Sequence, residues 1–92
     1  MVISIAKFGH VLTARDDGKE AFASLAPKLK TLNDKEEIIV DFAGLGVLSP
    51  GWADEFITPL TERFGSRVTL RESDNASVIL TLETLKKFPH GG

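Results

Sequence analysis

Blocks of hydrophobic and polar positions succeed one another along this chain, and each block predicts an element. The run VISIAKF (2–8) is dense in β-branched residues and predicts a strand. HVLTA (10–14) predicts a short second strand that pairs with it across a turn at Gly9. Beyond RDD, residues Ala21, Phe22, Leu25, Leu29 and Leu32 recur at spacings of three and four, the stripe of an amphipathic helix. Asp16 and Asp17 are the N-cap candidates of that helix. Pro27 lies inside the stripe, where a missing N–H predicts a kink or a division. NDKEE (33–37) reads as a turn, and EIIVDF (37–42) as a strand buried on both faces, because its β-branched run is nearly continuous. A second helix is predicted from Ser49 or Pro50, with Trp52, Phe56, Ile57, Leu60 and Phe64 on one side and Pro59 within it. RVTLRES (67–73) alternates as a strand. DNASVILTLETLKKF (74–88) opens on capping residues and sets Val78, Ile79, Leu82, Leu85 and Phe88 on one helical face. PHGG (89–92) reads as a disordered tail.

The order β-(β)-α-β-α-β-α predicts an α/β fold: one small domain over residues 1–92, a mixed sheet of about four strands and three helices packed on it. Composition narrows what such a domain does. Hydrophobic residues make up 42% of the 92, enough for a core. The 11 basic and 13 acidic residues are interspersed and leave a net charge of −2, so nucleic-acid binding by phosphate neutralisation is not expected. Cysteine is absent, which excludes disulfides, thiolate metal sites and a cysteine nucleophile. No apolar run approaches the roughly 20 residues that span a bilayer, and MVISIAKFGH lacks the pattern of a signal peptide. The chain reads as a soluble cytoplasmic protein that binds no membrane.

DFAGLGVLSPGWADEF (41–56) carries the candidate chemistry, because a strand there feeds a glycine-rich loop that feeds a helix. A phosphate-binding loop of the G-x-x-x-x-G-K-[ST] type finds its glycines at Gly46 and Gly51, but Trp52 and Ala53 follow in place of the lysine and the hydroxyl. The dinucleotide pattern G-x-G-x-x-G begins at Gly44 and Gly46 and meets Ser49 where its third glycine belongs. No G-x-S-x-G nucleophile turn is present. The two histidines, His10 and His90, share no metal-ligand spacing. No catalytic residue, metal or cofactor is therefore expected, and the chain does not read as an enzyme.

Ser49 followed by Pro50 is a standard helix start, with the serine hydroxyl accepting an unpaired N–H. An exposed serine here is also a candidate for phosphorylation. Trp52 is either core or a partly exposed interface anchor. Asp54 and Glu55 lie about 100° apart around a helix, so they form no facing pair. Their readings are stabilisation of the helix dipole and contact with a partner. Arg15 and Asp16 read as a solvated pair beside a helix start.

EEIIVDFAGLGVLSPGWADEFITPLTERFG resembles the STAS-like domain family of unknown function through Asp41-Phe42 and Trp52-Ala53-Asp54-Glu55. Upstream, FGHVLTARDDGKEAF is similar to the same family's pattern through Phe8, Gly9, Leu12, Arg15 and Gly18. The wider group takes its name from sulphate transporters and anti-sigma-factor antagonists. The resemblance implies a compact α/β domain that works by binding proteins, typically a GHKL-type ATPase or kinase that phosphorylates a serine at the start of the second helix. In the antagonists that serine immediately precedes a glycine. Here Pro50 takes that place, Ser49 lies one residue early, and the loop aspartate is missing.

The expected function is a non-catalytic, regulatory protein-interaction module, docking its partner through loop 44–51 and helix 50–64. Ser49, Gly51, Trp52, Asp54 and Glu55 are its partner-binding candidates. A homo-oligomer is a further expectation. The alternative is a small nucleotide-binding protein or enzyme that uses the Gly44–Gly51 loop.

Overall fold

The structure is a computed structural model that describes residues 1–87. Phe88, His90 and the tail 89–92 lie outside the described residues. Five strands and three helices follow one another among those described: β1 (Val2–Ser4), β2 (Val11–Leu12), α1 (Arg15–Leu29), β3 (Ile38–Asp41), β4 (Val47–Leu48), α2 (Pro50–Phe64), β5 (Val68–Leu70) and α3 (Ala76–Lys87). The strands form two sets, a sheet in the order β1-β3-β5 and a small pair β2-β4. Each pairing is parallel, and parallel neighbours cannot be joined by a tight turn. The crossovers accordingly contain helices: α1 lies between β1 and β3, and α2 lies between β3 and β5.

The expected α/β class with three helices stands, and the strands, expected to be about four, number five in two sheets. The expected hairpin across Gly9 does not form. VISIAKF pairs as a strand only over Val2–Ser4 and then winds into a 3-10 turn, Ile5–Phe8, closed by the Gly9 N–H on the Ala6 carbonyl at 3.2 Å. That turn buries Ile5 completely and carries the chain out of the first sheet. β2 then pairs with β4, with Val11 opposite Val47 and Leu12 opposite Leu48.

β3 has the apolar density expected of EIIVDF, but only Ile38 and Val40 are fully buried, and Ile39 and Asp41 are half-buried on the other face. Helix α1 is capped by Ala14, so Asp16 and Asp17 sit in its first turn, where carboxylates favour the helix dipole without serving as the cap. Pro27 and Pro59 divide neither helix. Each proline removes one N–H donor, and the buried faces around it hold the remaining turns against the core.

The core lies between the larger sheet and the helices. Ile3, Ile38 and Val40 meet Leu25 and Leu29 of α1 and Phe56 and Leu60 of α2, all buried. An aromatic group extends it, with Trp52 stacked on Phe56 at 5.0 Å between ring centroids and Phe8 tilted against both. Gly18 of α1 is buried against the backbone of Trp52, and this close approach brings α1 and α2 together. No helix among the described residues is long and apolar enough to cross a membrane.

Candidate functional site

The loop between β3 and α2 begins with a self-made turn. The Asp41 carboxylate accepts the Ala43 N–H at 3.0 Å, and the Leu45 N–H returns to the Phe42 carbonyl at 3.3 Å. Gly44 is the third residue of that turn with φ +84°, a conformation that side chains disfavour. Beyond it the backbone is directed inward. The N–H groups of Gly46 and Val47 both donate to the His10 carbonyl, at 2.9 and 3.0 Å. Leu48 donates to the Ser77 hydroxyl at 3.1 Å, and Ser49 to the Leu12 carbonyl at 2.9 Å.

Asn75 completes the hold. Its side-chain oxygen accepts the Ser77 and Val78 N–H groups, which makes it the cap of α3. Its amide nitrogen donates to the carbonyls of Leu45 and Gly46, each at 3.0 Å. One side chain thereby ties the loop to α3. The capping residues at 74–75 are legible in sequence, but the reach across 29 and 30 residues to the loop carries no local signal.

These bonds bear directly on chemistry. A phosphate-cradling loop aims several backbone N–H groups at its ligand. Here the five consecutive N–H groups from Leu45 to Ser49 all have partners inside the protein. Among the described residues no group of three His, Asp or Glu side chains is placed to hold a metal ion.

Ser49 occupies the N-cap of α2 by its backbone, at φ −107° and ψ 158°, and its carbonyl accepts the Ala53 N–H. Its hydroxyl does not cap the helix as expected. It donates instead to the Thr13 carbonyl at 2.9 Å, because the β2–β4 pairing draws residue 13 alongside it. Gly51 is half-buried beside Thr13 and Arg15. Trp52 is 1% exposed, so its indole belongs to the core and offers no area to a partner.

Asp54 and Glu55 also differ from expectation. Both sit in the second turn of α2, beyond the free N–H groups of its first turn. Asp54 is buried and accepts from Arg15 Nη1 at 2.8 Å and from the Thr58 hydroxyl at 2.9 Å. Glu55 is half-exposed and lies 3.6 Å from the same guanidinium. Arg15, read from sequence as a partner for Asp16, instead bridges the start of α1 to α2 across 39 residues. Its guanidinium is held above its ordinary pKa, first by the hydrogen bond to Asp54, which with the charges of Asp54 and Glu55 outweighs the opposing effect of burial. A raised folded-state pKa stabilises below the unfolded value and is lost only above it, so this cation is retained at every pH below the ordinary arginine range.

The surface left to the site is small and apolar at its centre. Val47 is 41% exposed and lies directly opposite Val11, which is 58% exposed. Gly44 and Pro50 are exposed on either side, and Glu55 supplies a charge on α2. Sequence reasoning placed Val11 in a strand and Val47 in the docking loop but not side by side, since a parallel pairing across 36 residues leaves no local signal.

A family model described as a STAS-like domain of unknown function matches residues 17–86. No curated protein and no solved structure matches the chain.

Proposed function

The chain belongs to the STAS-like domain family of unknown function, and from that premise we propose that it is a non-catalytic, cytoplasmic regulatory module that docks a protein partner through loop 44–51 and the adjoining exposed face of α2. The observation that carries this reading is the inward direction of the loop backbone. With the N–H groups of residues 45–49 bonded internally, what the loop offers outward is side-chain surface: Val47, Pro50 and, one turn along, Glu55. Such a surface is held in one conformation before any partner arrives, which lowers the ordering cost of association. The resemblance to anti-sigma-factor antagonists suggests an ATPase- or kinase-like protein as the partner. Docking needs no phosphorylation of Ser49, whose hydroxyl would first have to leave the Thr13 carbonyl.

The reading is tested by what it forbids. A ligand that binds only the folded state raises the melting temperature as its concentration passes the dissociation constant. ATP and GTP at millimolar concentration, with and without magnesium, are expected to leave the melting temperature unchanged in a scanning fluorimetry series. A shift that grows with nucleotide concentration would favour the Gly44–Gly51 loop as a nucleotide site and would contradict the docking reading.

A further inference from the structure

A groove of about 720 Å³ runs between α2 and α3 over the end of β5. It lies on the later half of α2, has no residue of loop 44–51 in its lining, and does not rest on the reading of that loop. Ile57, Leu70 and Val78 form its floor, with Ile79, Leu82 and Leu85 along the α3 wall. Val78, Leu82 and Leu85 stand at i, i+4 and i+7, one continuous helical stripe. Ile79 is 42% exposed, so the wall is open to solvent.

The charges around this groove are uneven. Glu62 and Glu83 line it together with Arg71 and Lys86. At the β5 end it shares Glu72 and Ser73 with a second recess that also holds Asp41 and Asp74. Groove and recess together carry five carboxylates against two basic side chains, a formal −3, where the whole chain carries −2. Arg71 is further engaged by Asp41 at 3.2 Å. The surplus negative charge of the protein is thus gathered around this apolar channel.

We propose that this groove receives an amphipathic helix with basic flanks, contributed by a protein partner. Two helices walling an apolar channel suit a third helix, whose ridge of side chains packs between theirs. The carboxylates select for Lys and Arg beside that ridge, most strongly at the end over Glu72 and Asp74, and they repel nucleic acid and anionic lipid.

The probe is a synthetic helical peptide of about 14 residues, four turns long, with leucine at i, i+4, i+7 and i+11 and with Lys and Arg elsewhere. It is titrated into the full 15N-labelled chain. Amide shift changes are expected at residues 57–62, 70–74 and 78–86, with little change at 44–51. The double substitution Glu72→Lys with Asp74→Lys changes two exposed side chains and is expected to weaken binding at least tenfold, about 1.4 kcal/mol. Ile79→Asp should weaken it comparably, and a peptide with the same leucines but Glu in place of Lys and Arg should bind at least tenfold less tightly. Equal binding by the acidic and basic peptides, saturation centred on loop 44–51, or no shift at millimolar peptide would each overturn the assignment.

Discussion

Replacing Trp52 with alanine is expected to remove about 3–5 kcal/mol of stability, the range for deleting a large buried aromatic side chain. The indole is 1% exposed, stacks on Phe56 at an interplanar angle of 20°, and touches the Phe8 ring at 5.9 Å between centroids. Removing it leaves a void that Phe8 and Phe56 fill only in part, since both already pack against other core residues. A domain of this size has a total stability near the lower end of the usual ~5–15 kcal/mol, so the variant is expected to melt near or below physiological temperature. Urea titration followed by circular dichroism checks this. A loss below about 1 kcal/mol would place the indole outside the core. The same result decides how partner binding should be probed. A Trp52→Ala variant that loses its partner does so by unfolding, whereas Val47 and Glu55 can be changed with the core intact.

The second large effect is expected at Gly18, and there its sign is diagnostic. Helix propensity alone favours alanine over glycine within α1 by about 1 kcal/mol. A Cβ at position 18 would lie 3.0 Å from the Trp52 Cα and would overlap its carbonyl oxygen. That neighbour is backbone in the first turn of α2, so it cannot rotate away. The helices must separate, and overpacking of this kind costs typically 1–3 kcal/mol or more. Set against that propensity gain, Gly18→Ala is therefore expected to destabilise by up to roughly 2 kcal/mol net, lowering the melting temperature by up to about 8–16 °C. A gain in stability would show that α1 and α2 do not approach so closely.

These two residues also mark what could be read from the chain. Trp52 and Phe56 stand at i and i+4 in a run with apolar period, so α2 and its buried face were legible. EIIVDF identified β3 for the same kind of reason: several consecutive residues share one preference. The glycine resemblance placed Gly18 in a pattern, but only the crossing of two helices explains why a side chain is excluded there. Val47–Leu48 reads in sequence only as part of loop 44–51, because two residues cannot express a strand period and their partner lies 36 positions earlier. Arg15 and Ser49 failed similarly. Each was read against its neighbours in sequence, Asp16 and the α2 N–H groups, whereas folding offered Asp54 and the Thr13 carbonyl. Local chemistry fixed the positions of these polar groups and left their distant partners undetermined.

The corrected geometry changes the candidate surface more than the candidate fold. Trp52 and Asp54 move inside, one as core and one as the partner of Arg15 and Thr58. Val47, Pro50 and Glu55 remain outside, fixed by a loop whose backbone is bonded to β2 and to α3.

The central claim, docking through that surface, is tested most directly by capture from the native host's lysate with two baits. One is the wild-type chain; the other carries Val47→Asp and Glu55→Lys and is first shown by circular dichroism and melting to be folded. The account predicts a specific protein, ATPase- or kinase-like, retained by the wild type and reduced at least tenfold, about 1.4 kcal/mol, on the variant. Equal retention by both baits, or no specific protein on either, would contradict docking through loop 44–51.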